Sequence, residues 1–256
     1  MQNINTIMSR RCLPTISLAF CYVAMQAYAQ EGWTSLFNGT NLDGWRSNKS
    51  DAAPKHGWTI HDGVLTVDSG LTKGEAEAQG AGDIVTRRHY ANFELMADFK
   101  CTYGCNSGIK IFAQPGLSPI DKVTGKPTPT GSGIGLEFQV LDDAHHPDAK
   151  LGHNGDRRLG SLYDLIPAPE DKTVMAMGEW NHARILSQGK HVEFWLNGRK
   201  TVEFERGSDD FRSRVAASKF KDIPNFGEWA DGPILLQEHG SEVSFRDVKI
   251  RELPAN

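Results

Sequence analysis

Cysteine is scarce in this sequence: there are four in 256 residues, and two of them, Cys12 and Cys21, fall within the first thirty positions. A thiol-rich metal cage or a dense disulfide framework is therefore excluded. Only Cys101 and Cys105 remain beyond that stretch, separated by Thr102-Tyr103-Gly104. In an oxidising compartment this pair can close a small loop, and otherwise it stays as two thiols. The spacing alone, without further soft ligands nearby, is weak support for a metal. An excess of basic charge is also missing, with 28 Lys+Arg against 32 Asp+Glu and a net charge of −4. A protein that holds a phosphate backbone needs a basic field, so nucleic acid is not an expected partner. No apolar run long enough to span a bilayer follows residue 27, which argues against stable membrane insertion. Helical periodicity is nearly missing too, with only residues 209–219 carrying a weak trace of it.

The N-terminus has a definite pattern. A polar stretch ends in Arg10-Arg11, an apolar run covers 13–27, and the small residues of Ala27-Tyr28-Ala29 precede Gln30-Glu31. That order reads as a secretory signal peptide over residues 1–29. A retained anchor is the alternative. A lipoprotein is rejected because Phe20, not a small residue, precedes Cys21. The expectation is an exported protein, periplasmic or secreted, whose residues 30–256 form one domain.

Beyond residue 30, Gly, Asn, Asp or Pro punctuates the chain roughly every 8–12 residues, and apolar and polar residues alternate between those marks, as short antiparallel strands require. Residues 58–67 read as a hairpin turning on Asp62-Gly63, and 180–204 as a meander whose last turn is Asn197-Gly198. Residues 93–99, 109–112, 135–141, 234–239 and 243–250 are further strands. Two long insertions stand apart, 114–130 rich in Pro and Gly and 144–169 rich in His, Asp and Pro. Segments of that length tend to build sites or lids. The pattern predicts an all-β, two-sheet antiparallel sandwich of jelly-roll type.

Period-two geometry identifies the strands that could carry chemistry. In 135–141, Leu136, Phe138 and Val140 share the core face, leaving Glu137, Gln139 and Leu141 on the other, with Asp142, Asp143, His145 and His146 directly after. In 109–112, Ile109 and Ile111 share one face, and Lys110 and Phe112 the other, where Lys110 could join the Glu137 surface. Leu235, Gln237 and His239 share a face of the strand near the C-terminus. Glu137-x-Gln139 beside Gln237-x-His239 would make a polar floor able to donate, accept and move protons. A sugar needs such a floor, and Trp195, Tyr163, Tyr103 and Trp229 are candidate aromatic surfaces. Each feature has a plain alternative: a solvated outer face for Glu137, a turn role for Asn106, a surface lysine for Lys110, and core packing for the aromatics. Jelly-roll glucanases place their two carboxylates on one strand as Glu-x-Asp-x-Glu. Here the strand reads Glu137-x-Gln139-x-Leu141, which disfavours ordinary retaining hydrolysis.

Nine stretches in order, Leu36-Phe-Asn-Gly-Thr-Asn-Leu-Asp-Gly-Trp45, Asp62-Gly-Val-Leu65, Tyr90-Ala-Asn-Phe-Glu-Leu95, Asn106-Ser-Gly-Ile109, Glu137-Phe-Gln139, Gly160-Ser-Leu-Tyr-Asp164, Gly178-Glu-Trp-Asn181, Trp195-Leu-Asn-Gly198 and Leu236-Gln-Glu-His-Gly240, together resemble the 3-keto-disaccharide hydrolase domain. The resemblance implies a concanavalin A-like sandwich of the lectin and glucanase type. It also implies action on glycosides already oxidised at C3 by a separate upstream sugar 3-dehydrogenase. A C3 ketone acidifies the C2 hydrogen, so one base suffices to start elimination of the C1 oxygen, and water then adds to the enone. On that reading Glu137 or His239 is the base, Asp142 or His146 the acid partner, and Lys110 or a divalent ion the electrophile. Asn106, Gln139, Tyr163, Trp195 and Gln237 would hold the sugar. A metal, if used, would draw on Glu137, Asp142, His146 and His239, though no spacing is diagnostic. The rival reading is a non-catalytic carbohydrate-binding module or lectin.

Overall fold

A computed structural model describes residues 32–68, 70, 81–128, 130 and 132–255. The signal-peptide segment and Cys12 and Cys21 lie outside the described residues. Turn chemistry sets the strand boundaries. Asp62 and Gly63 (φ 48° and 77°) close the hairpin between β3 (Trp58–His61) and β4 (Val64–Val67). Asn197 and Gly198 (φ 49° and 80°) do the same for β10 (His191–Leu196) and β11 (Arg199–Glu205). Paired left-handed residues match the twist of the flanking strands. The remaining strands are β1 (Trp33–Ser35), β2 (Trp45–Ser47), β5 (Ile84–Thr86), β6 (Phe93–Cys101), β7 (Asn106–Gln114), β8 (Ile134–Leu141), β9 (Asn181–Gln188), β12 (Leu235–Leu236) and β13 (Val243–Glu252).

They form two antiparallel sheets, as the alternation predicts. The larger runs β11-β10-β9-β6-β13-β4-β3 with β1 beside β13, and the smaller runs β2-β5-β12-β7-β8. The inner faces meet in a core crossed by a file of phenylalanines: Phe138 of the small sheet lies 6.3 Å from Phe99 and 5.5 Å from Phe194 of the large one. Phe204 continues the file from Phe194 and stacks on Phe211 of the helix α1 (Asp209–Ala217) at 5.5 Å. Each such side chain contributes about 1.5–3 kcal/mol by leaving water. The Ser208 hydroxyl accepts the Phe211 N–H and starts α1, with Asp209 and Asp210 in its first turn. Cys101 and Cys105 are joined as a disulfide across the turn from β6 to β7, where the chain passes between sheets.

One parity expectation fails. Phe112 does not share the Lys110 face: its φ is 51°, the β7–β8 register shifts after Ile111, and its ring packs in the core 6.0 Å from Phe93. A β-bulge absorbs the extra residue and turns the side chain inward. Gly232 packs against the bulge so closely that a Cβ there would lie 2.6 Å from the Phe112 Cα.

Candidate active site

Strand parity carries Lys110, Glu137 and Gln139 to the outer face of the small sheet, where Lys110 pairs in register with Glu137 and Gly108 with Gln139. On an uncovered sheet these would be solvated. Here every residue of β8 is buried, because the two insertions, the segment after α1 and the segment after β12 close over it. They border a cavity of about 310 Å³, open to solvent, whose walls include Asn106, Lys110, Glu137, Gln139, Asp148, Tyr163, Lys219, Gln237 and His239, with Pro119, Phe220 and Ile223 as its apolar side.

The Glu137 carboxylate is fixed from two sides. Its Oε2 lies 3.3 Å from the Lys110 Nζ, and the two side chains are 7% and 6% exposed. With its amide turned to satisfy both ends, the Gln139 nitrogen donates to Glu137 Oε1 at 3.2 Å and to the Ser107 carbonyl at 3.3 Å. Gly108 is required at this point, since a Cβ there would fall 2.2 Å from Glu137 Oε1. Lys110 Nζ also donates to Ser132 Oγ at 2.7 Å and to the Gly133 carbonyl at 2.9 Å. Lys110 is thus anchored by two hydrogen bonds and paired with Glu137, and the pair fixes where the carboxylate sits in a buried setting.

Asp83 organises the same wall from behind. Its carboxylate accepts from Ser132 Oγ (2.6 Å), the Gly133 N–H (2.7 Å) and the Glu238 N–H (3.0 Å), tying the 132–133 segment to the one that carries Gln237 and His239. The Gln237 Oε1 is buried and has no hydrogen-bond partner among the described residues. Buried acceptors are rarely left so, and Gln237 is among the residues that line the cavity. His239 lines the cavity half-buried.

The 144–169 insertion supplies the opposite wall. Asp148 accepts from the Tyr163 hydroxyl at 2.9 Å and from Arg157 at 3.0 Å, and Arg157 also donates to Asp164 at 2.6 Å. Asp164 in turn accepts the Lys219 backbone N–H at 2.8 Å. Burial, reinforced by the negative charges of Asp148 and Glu137, drives the Tyr163 phenol far above its ordinary pKa. It therefore stays a donor. Its ring is covered by the Lys219 ammonium at 4.1 Å and the Arg157 guanidinium at 5.3 Å.

Of the nine other sequence-predicted catalytic and binding residues, six join Glu137 here: Lys110, Asn106, Gln139, Tyr163, Gln237 and His239. Three do not. Asp142 accepts from the Gly104 N–H, the Ala144 N–H and His145 Nδ1, so it caps the loop after β8. Burial would raise its pKa, but those donors hold it below the usual carboxylate range. His146 caps the 3-10 helix Pro147–Lys150, its Nδ1 accepting the Asp148 N–H. Trp195 lies on the outer face of the large sheet, donating to Glu193 at 2.8 Å beneath Arg184. Tyr103 is 75% exposed and stacks on His145, and Trp229 packs on Phe226. The four metal-donor candidates consequently fail to converge: Asp142 and His146 are spent as caps and Glu137 faces an ammonium, so this donor set does not fit a resident divalent ion. Asp83, Ser132, Asp148 and Lys219 were not foreseen. Only Asp148 carried a signal, as an acid within the His- and Asp-rich insertion.

Comparison with known proteins agrees with this architecture. Residues 32–251 match the family model described as a 3-keto-alpha-glucoside-1,2-lyase-like domain. A 3-keto-disaccharide hydrolase of Bacteroides thetaiotaomicron is 33% identical over 239 residues, covering 87% of this chain and 79% of that protein. A crystal structure from Parabacteroides distasonis, provisionally named a glycosyl hydrolase, superposes with a TM-score of 0.70 at 32% identity, covering 90% of this chain and 97% of its own. A second from the same organism, named likewise, gives 0.59 at 31% identity, covering 86% and 99%.

Proposed function

This chain belongs to the 3-keto-alpha-glucoside-1,2-lyase-like family, and from that premise we propose that it cleaves glycosides whose sugar carries a ketone at C3, by elimination followed by hydration. A glycoside hydrolase-like activity is supported by the relative named a 3-keto-disaccharide hydrolase. The observation that carries the finer reading is the buried carboxylate Glu137, positioned by Lys110 and Gln139 at the cavity and without a second carboxylate on its strand.

Glu137 takes the C2 proton, and the electron pair of that bond moves to C3 as an enediolate. Its collapse restores the C3 ketone, forms the C1=C2 double bond and expels the glycosidic oxygen from C1, which His239 protonates. Water then adds across C1=C2, oxygen to C1 and proton to C2, releasing the 3-keto sugar. Gln237 Oε1 and Asn106 accept sugar hydroxyls. The substrate must be supplied by a sugar 3-dehydrogenase acting before this protein, and we place the chain after export. A binding module or lectin would present a flat aromatic groove, whereas Glu137 and His239 line one concave, solvent-accessible cavity together with Lys110 and Lys219.

The test incubates purified protein with paired native and 3-keto glucosides. Turnover is expected only for the oxidised member, with Glu137→Gln and His239→Ala each lowering kcat by about 10²–10⁴-fold. Wild-type rates in both variants would sink the assignment.

A further inference from the structure

The cavity holds two lysines, and their surroundings divide their roles. Lys110 is already committed: its Nζ donates to Ser132 Oγ and the Gly133 carbonyl and pairs with the Glu137 carboxylate. Lys219 differs. Among the described residues it makes no ion pair, and its Nζ lies 4.1 Å above the Tyr163 ring and 5.2 Å from that of Phe220. A π-face attracts a cation but does not occupy its N–H bonds. The Lys219 backbone is pinned by Asp164, and the Tyr163 ring beneath it is pinned by the hydroxyl bond to Asp148. The ammonium is thereby positioned at the cavity wall with its protons available.

On the reading proposed above, negative charge gathers on the C3 oxygen when C2 loses its proton, and a donor must be in place to meet it. We propose that the Lys219 ammonium is the catalytic cation of this cavity, donating a hydrogen bond to the C3 oxygen of the bound ketone and stabilising the enediolate that forms there. Lys110 then acts as a positioning residue for the base, and Lys219 as the electrophile toward substrate. No bond to Lys219 is made or broken, and its proton stays on nitrogen.

The charged groups around it set its titration. Glu137 of β8 and Asp164 favour the ammonium, while Lys110 of β7 and Arg157 oppose it, and Asp148 and His239 line the same cavity. Although the residue as a whole is exposed, its charged end sits against two rings, and this burial leads the causes that bring its pKa below the ordinary lysine value. A lowered ammonium pKa makes a stronger hydrogen-bond donor. It also sets the sign of the pH effect: activity should fall as pH rises through that lowered value.

The experiment measures kcat and KM against pH on a chromogenic 3-keto-glucoside for the wild type, Lys219→Met and Lys219→Arg, with thermal melts to verify folding. Lys219→Met is expected to melt as the wild type does and to lose about 10²–10³-fold in kcat, the cost of removing one oxyanion donor, with little change in KM. Lys219→Arg is expected to recover part of that loss and to abolish the alkaline limb, because a guanidinium does not titrate there. An unchanged kcat in Lys219→Met, or an alkaline limb unaltered in Lys219→Arg, would overturn the assignment while leaving the substrate reading intact. A wild type inert toward the 3-keto-glucoside would overturn both.

Discussion

The two outer faces of the sandwich carry similar residues and do different things with them. On the large sheet, Glu94 is clamped between Arg184 and Arg251, and Asp98 between His182 and Arg246. Glu193 receives Lys200, His191 and Trp195. On the small sheet, Glu137 receives Lys110 and Gln139. Yet β10 alternates buried and half-buried residues while β8 is buried throughout. The cations of the large-sheet ladder are partly exposed and are spent on its anions and on the Trp195 and Trp180 rings. The small sheet is covered by other segments of the chain, which buries Glu137 and Lys110, strengthens their interaction and places Lys219 and Gln237 at the cavity. A row of ion pairs becomes a site when other segments of the chain enclose it.

The sharpest way to break the contrast is to disturb the enclosed face without touching a charge. Gly108→Ala introduces a Cβ that would lie 2.2 Å from Glu137 Oε1, so the carboxylate must move. Turnover of the 3-keto-glucoside should fall by about 10²-fold, the effect expected of a reacting group displaced by an ångström. A variant with unaltered kcat would show that the position of Glu137 does not matter.

Next in size is a change on the open face that should affect stability alone. Burial pushes the Glu94 pKa up, but Arg184 and Arg251 more than compensate and hold it below the ordinary glutamate value. Its stabilisation is therefore complete above that ordinary value and is lost as pH falls through the depressed one. Glu94→Gln should cost about 1–3 kcal/mol near neutrality, with the gap from wild type closing in acid, and kcat should not change. Denaturant melts at several pH values read this directly, and a gap independent of pH would refute it.

The smallest effect is expected at Trp195. Trp195→Ala removes cation–π contacts worth about 0.5–1 kcal/mol at a site remote from the cavity walls, so activity should stay within experimental error of wild type. A large rise in KM would instead make the open face a sugar subsite and erase the contrast drawn here.

Much of the fold was legible because alternation and turn chemistry are local. Asp62-Gly63 and Asn197-Gly198 mark their hairpins by the left-handed conformations they tolerate, and Glu137 and Gln139 share a face because a strand repeats every two residues. The register of Lys110 opposite Glu137 follows once both parities are known. Phe112 was misread because a bulge shifts parity by one residue and leaves no mark in the alternation. Asp142 and His146 were misread for a related reason: a carboxylate or imidazole after a strand looks alike whether it faces substrate or caps a turn. The backbone N–H groups of Gly104 and Asp148 decided the matter. Trp195 sits in a family-like motif, but sequence does not state which outer face of the sandwich is roofed.

The amino-acid sequence by itself determined the two-sheet architecture, the polar stripe of Lys110, Glu137 and Gln139, and the lack of a second carboxylate on that strand, since each depends on neighbours within a few residues. Tertiary structure alone decided that the stripe lies inside a cavity, that Asp83 braces one wall, that Asp148 and Tyr163 brace the other, and that Lys219 is brought there from beyond α1. Those groups are far apart along the chain, and only packing of the insertions over the small sheet makes their charges and hydrogen bonds meet.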